Sequence, residues 1–498
     1  MSRFIAYVSM FAVCGSLLAA PPAPGGSDTI AAVDDVKAAV ELFVNARTAG
    51  SADDFMVAVE KVKAMADAGQ TFYRFLLAVY AAQEPLCGLS EEQRARWLNE
   101  GRPSMRKHAE SGNALAQYLV GLDCEFNQEK TAEGLAWLER AAAAGQALAQ
   151  NSLGMKHYLG HGLPQDYAKA AEYFRKAALL ADMNGEYNLA ALYAQGQGVP
   201  KDDEMAFQLY TRAAEKGHSS AMNNLAWLYQ EGRGTDRDLA KSAGWYLKSA
   251  ESGNVDGQFN YGFVCAHGRG VPRNPRAAGL WYWRAAEQGH LEAQVNLAVL
   301  YRDGAGIKQN ELRALEWLSK AAERNHAQAQ FLIGQMYEAG RGIPKDDERA
   351  FKWYKKSADQ NNPHGINALG TFYYRGKTVE KDYAQAEALY RQAAEKGFAA
   401  AQNNLGMMYV RGESVPQDHA LAAEWFEKAV RQGAADAAYN LAQLHEYGKG
   451  VAQSHSRAVE LCKQAARQGH VSAAEWLVRN GYTAWVNAGE AQEAEAKK

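Results

Sequence analysis

The chain has 498 residues, too many for one compact core, so it either splits into domains or builds a repeat array. Its 47% hydrophobic and 22% charged residues describe a folded chain, and 54 basic against 57 acidic residues leave −3, without the basic excess of a nucleic-acid binder. Forty-five glycines against 12 prolines fit an Ala-rich helical chain only if glycine recurs outside the helix interiors.

At the amino terminus Arg3 precedes an apolar run from Phe4 to Leu18, followed by Ala19, Ala20 and a Pro-rich exit. This is the pattern of a secretory signal peptide over residues 1–20, too short an apolar run to span a membrane. The expectation is export, with a periplasmic or secreted mature chain that meets the membrane only through its signal peptide. Cys14 follows Val13 rather than a small residue, which argues against a lipoprotein. The remaining cysteines are Cys87, Cys124, Cys265 and Cys462, too few for a disulfide scaffold. Cys87 and Cys124 lie in neighbouring irregular segments and form the candidate disulfide, whereas Cys265 and Cys462 fall in apolar repeat positions as small buried thiols.

Residues 21–110 read as a divergent helical capping region. Within it Ser90, followed by Glu91, Glu92 and Gln93, carries a capping-box signature for a helix start. The array proper spans 111–470. Its opening unit, Leu115 to Gln146, is about three residues short and lacks a G-x-G loop. From Ala147 to His470 the chain divides into nine consecutive units of 36 residues. Residues 471–498 read as a closing helix and a charged tail.

The landmarks of the regular units each have a physical reason. A leucine recurs in the first helix (Leu153, Leu189, Leu225, Leu297, Leu369, Leu405, Leu441), and the position four residues on holds Tyr193, Tyr229, Tyr301, Tyr337, Tyr373 and Tyr409 in six of the units, on the same helical face. Cys265 stands in that tyrosine slot. Paired glycines such as Gly196 and Gly198 then close the helix and turn the chain. A capping residue follows in every unit: Asp166, Asp202, Asp238, Asn274, Asn310, Asp346, Asp382, Asp418 or Ser454. Second helices carry tryptophan in one phase (Trp137, Trp245, Trp281, Trp317, Trp353, Trp425), with a small pair four and five residues later for close helix approach.

This pattern, A-Q-x-x-L-G/A-x-x-Y-x-x-G-x-G-V-P-x-D…A…W-Y-x-K-A-A-x-x-G, resembles the Sel1-like repeat, a relative of the tetratricopeptide repeat. The resemblance implies an all-α, right-handed αα superhelix of about eleven helix–loop–helix repeats, stacked as a solenoid. It also implies a bacterial scaffold or adaptor that binds a protein or peptide.

No catalytic, cofactor or metal constellation stands out, so the chain is expected not to be an enzyme. The G-x-G pairs follow helices and lack a third glycine, so they read as caps rather than a dinucleotide site. His157 and His161 are four apart, but no glutamate follows His157, and Gly160 ends the helix between them. His218, His290, His326 and His470 share a turn position between repeats. Ser104 and Lys107 match Ser-x-x-Lys without the companion motifs of a penicillin-reactive enzyme. Secreted cysteine-rich members of the family are linked to β-lactam binding, but their cysteine pair in each repeat is missing here.

The candidate site is therefore a surface. One residue before the first-helix leucine stand Asn188, Asn224, Asn260, Asn296, Asn404 and Asn440. Their amides suit either gripping an extended peptide backbone or tying repeats together. Two residues after it the position varies and includes Trp227, Phe263, Val299 and Met407. Trp227 and Phe263 read as anchors for a partner on the concave face. Trp283 is also odd, since its phase elsewhere holds Thr211, Leu247, Ser319, Lys355, Arg391 and Glu427. A carbohydrate of the envelope is the alternative ligand, because aromatic rungs stack on sugars too, and a β-lactamase-like hydrolase is the third.

Overall fold

The computed structural model describes residues 52–67, 70–82 and 87–485, all helices and connecting turns, with no strand among them. The candidate signal peptide lies outside the described residues, as does the tail beyond 485. By internal packing the chain forms two units, one ending at Ala293 and the other starting at Gln294.

The first unit holds α1 (Ala52–Asp67), α2 (Thr71–Tyr80), α3 (Glu91–Glu110), α4 (Ala114–Phe126), α5 (Thr131–Ala143), α6 (Ala147–Leu159) and α7 (Tyr167–Leu179). It continues with α8 (Met183–Gln195), α9 (Asp203–Glu215), α10 (Ser219–Glu231), α11 (Leu239–Glu251), α12 (Val255–His267) and α13 (Pro275–Glu287). After α14 (Leu291–Asp303), the second unit contains α15 (Glu311–Glu323), α16 (Ala327–Ala339), α17 (Asp347–Asp359), α18 (Pro363–Arg375) and α19 (Tyr383–Glu395). It ends with α20 (Ala399–Arg411), α21 (His419–Arg431), α22 (Ala435–Tyr447), α23 (His455–Ala466) and α24 (Val471–Arg479).

Helix boundaries follow the sequence signals. Ser90 accepts from the Gln93 N–H at 3.1 Å and starts α3. All nine capping residues of the regular units accept from the backbone three residues on, from Asp166 with Lys169 at 2.9 Å to Ser454 with Arg457 at 3.3 Å. First helices end on a left-handed glycine, for example Gly160 at φ 73°. The second loop glycine packs onto the preceding repeat: a Cβ on Gly234 would stand 2.0 Å from the Asp203 carbonyl oxygen. Thr378 and Ser414 occupy this slot in two repeats, yet hold φ at 64° and 68°. The repeat imposes the backbone even where the residue resists it.

Packing within a repeat is equally regular. One residue after the first-helix leucine the side chain is absent or small, because an aromatic ring from the second helix lies there. A Cβ on Gly154 would come within 2.6 Å of Phe174, and one on Gly406 within 2.6 Å of Phe426. The leucines themselves are buried, and the small pairs (Ala213 and Ala214, Ala285 and Ala286) are wholly enclosed. Successive first helices also pack on one another, α10 on α12 in the first unit and α16 on α18 in the second. First helices thus form the inner side of each stack, and second helices the outer.

The short opening unit uses charge where the regular units use a glycine loop. Arg102 of α3 donates twice to Asp123 of α4, at 2.8 and 3.0 Å, and Gln128 donates to the same carboxylate at 3.1 Å. Asp123 is 1% exposed. Arg106 pairs with Glu133 at 2.7 Å, and Lys156 with Glu125 at 2.7 Å.

Cys87 and Cys124, the candidate disulfide, are both buried thiols with no bond between them. The Cys124 sulfur faces Arg106 Nη2 at 3.6 Å instead, and burial pushes its thiol up to about 11. Cys265 and Cys462 are buried thiols as the repeat register requires.

Candidate functional site

The inner face is built from the exposed positions of the first helices. The asparagine ladder lies along it, half-buried, and bonds between repeats. Asn188 donates to Asn151 of the preceding repeat at 2.8 Å, and Asn260 to Asn223 at 2.9 Å. Asn404 donates to Asn367 at 2.9 Å, and Asn440 to Asn403 at 2.8 Å. Asn224 is half-buried in α10. Asn296 is half-buried in α14. Four of the six amides therefore fasten one repeat to the next. One amide hydrogen on each bridging Nδ2 remains for a ligand.

The variable rungs differ from one another. Trp227 is 38% exposed on α10, and Arg233 of the following loop lies over its ring at 4.8 Å. Phe263, one repeat on, is half-buried against His267 at 4.1 Å, with Arg269 over it at 4.9 Å. Both arginines stand between paired glycines, so each loop presents a cation above an aromatic rung. Arg233 also forms an ion pair with Asp203. In the second unit Val299 is half-buried, and Met407 packs against the core around Leu405 and Phe426. Trp227 and Phe263 are thus the two aromatic rungs that the inner face of the first unit presents together.

Two features escaped sequence reading. The histidines between repeats are helix caps: the Ala221 N–H donates to His218 Nδ1 at 3.2 Å, and His290, His326 and His470 cap α14, α16 and α24 in the same way. His218 also stacks on Tyr187 at 4.3 Å, and burial drops its pKa to about 3. The signal was available, because these residues stand where Asn254 and Asn362 cap other first helices. The second feature is a basic residue over each second-helix tryptophan of the shared phase, three positions later: Arg140 over Trp137, Lys248 over Trp245, Arg284 over Trp281 and Lys320 over Trp317. Lys356 over Trp353 and Lys428 over Trp425 complete the row. These cations shield what would otherwise be an apolar stripe.

His157 fills the tyrosine slot, buried and stacked on Tyr173 at 5.7 Å. Ser104 and Lys107 lie on α3. Among the described residues no group of three His, Cys, Asp or Glu side chains could hold a metal ion. No described helix is long and apolar enough to cross a membrane.

Comparison with known proteins agrees with this architecture. The Sel1 repeat model matches ten consecutive segments, from 114–146 to 435–470. Among curated proteins none matches the chain. Among solved structures, c5321, a protective antigen of uropathogenic Escherichia coli with an SLR fold, is 34% identical with a TM-score of 0.63. That match covers 77% of this chain and 83% of that one. A Sel1 repeat protein from Oxalobacter formigenes is 30% identical over 69% of this chain and 90% of its own, with a TM-score of 0.45. Ten matched repeats, continuous in register and built as α-helical pairs, place the chain in the Sel1-repeat family.

Proposed function

We propose that the protein is an exported scaffold that holds a protein or peptide partner on the inner face of its first unit. The observation that carries this reading is Trp227, a large aromatic side chain left 38% exposed on a first helix. The repeat itself does not need an aromatic there, since the same position holds Ala191, Gln335 and Thr371 elsewhere. Phe263 extends the surface by one rung, and the arginines over both rings add charge-assisted donors for backbone or side-chain oxygens of a partner. Export is supported by the amino-terminal pattern and by the likeness to a protective antigen.

The test is capture. The immobilised chain is exposed to envelope and culture-supernatant fractions of the source cells, beside a variant carrying Trp227→Ala and Phe263→Ala. The reading predicts a protein retained by the wild type and lost by the variant, with an unchanged melting temperature. Retention of glycan in place of protein would assign the rungs to carbohydrate, and a lowered melting temperature would assign them to the core.

A further inference from the structure

The outer face of the first unit breaks its own rule at α11 and α13. Two positions per second helix face solvent there. In most other repeats they hold polar or charged residues, such as Glu172 with Arg175, Glu316 with Ser319 and Glu424 with Glu427. In α13 they hold Leu280 and Trp283, which are 48% and 45% exposed. In α11 the same two positions are Gly244 and Leu247. A Cβ on Gly244 would meet nothing within 4 Å, so the glycine leaves a notch open to solvent. Trp245 and Trp281, in the phase where the repeat places its tryptophan, lie under Lys248 and Arg284, but Trp283 lies under no lysine or arginine among the described residues.

The charges around this patch have a direction. Arg276 stands at the amino end of α13 and Glu287 at its carboxyl end, both exposed and neither in an ion pair. Antiparallel pairing of α13 with a copy of itself, centred between Leu280 and Trp283, would set Arg276 against Glu287 of the second copy twice over. The same two-fold sets Leu280 against Trp283 and Leu247 against the notch at Gly244. Along α13 the stripe Arg276, Leu280, Trp283 and Glu287 thus meets its own complement in the second copy, which is the requirement of an isologous interface.

From this the geometry points to self-association: two copies of the chain pack through the outer faces of α11 and α13, antiparallel about a two-fold axis. This use of the outer face is separate from the inner-face binding proposed above. A patch that recognised a different protein would have no reason to be complementary to itself.

Sedimentation velocity of the full chain over a concentration series tests it. The wild type is expected to show a concentration-dependent dimer. Leu280→Glu with Trp283→Ser installs the residues that the chain itself carries at Glu316 and Ser319, so folding is preserved and the protein becomes monomeric. Arg276→Glu or Glu287→Arg alone weakens association about tenfold or more, and the double exchange restores it. A wild type monomeric at every concentration overturns the proposal. So does a dimer indifferent to Leu280→Glu with Trp283→Ser, or a charge exchange that restores nothing. Circular-dichroism melting of each variant separates loss of association from loss of fold.

Discussion

His218 shows how far a single repeat position reaches. Its Nδ1 accepts the Ala221 N–H at the start of α10 while the ring stacks on Tyr187 of the preceding repeat. One neutral imidazole therefore both caps a helix and joins two repeats. Burial holds its pKa at about 3, well below the ordinary value of 6.5, so the unfolded chain binds the proton first. Stability is thus fully present above pH 6.5 and is lost as pH falls from there toward 3. The slope is about 1.4 kcal/mol per unit from this residue. Urea melts of the wild type and His218→Asn at pH 7.0 and 5.0 should show a smaller acid loss in the variant, since asparagine caps without titrating. Thr378 is the opposite case, a β-branched residue held at φ 64° where its counterparts are glycine. Thr378→Gly should raise stability by about 1 kcal/mol, read from the denaturation midpoint.

At the scale of the helix and its neighbours, most of the fold could be read from the sequence because its signals are local and repeat in register. The capping residues, the glycine turns and the leucine–tyrosine spacing each act within about a dozen residues, and the structure places all nine caps where the spacing puts them. The candidate site was only half legible. An asparagine series along a sequence does not reveal whether its amides face solvent or one another. That depends on partners such as Asn151 and Asn367, which reach it only through stacking. The opening unit was hardest to read, because its glycine loop is replaced by ion pairs between α3, α4 and α5 that follow no register. Arg102→Ala leaves Asp123 buried without its cation and should cost about 3–5 kcal/mol. Arg102→Met with Asp123→Leu should cost much less, and chemical denaturation of both variants checks the difference.

For the whole molecule, the glycine excess, the near-neutral charge and the length have one explanation, a 36-residue unit used again and again. A repeat array leaves its outward positions free to vary, because stability rests on contacts within and between neighbouring repeats. Departures from the pattern at outward positions are therefore where function is sought, and Trp227 with Phe263 is the departure on the inner side. The most direct test is titration calorimetry of the captured partner against the wild type and against Trp227→Ala with Phe263→Ala. Binding should weaken about 100-fold, close to 3 kcal/mol, with the melting temperature unchanged. An unaltered Kd, or a loss of binding that follows a fall in melting temperature, would contradict it.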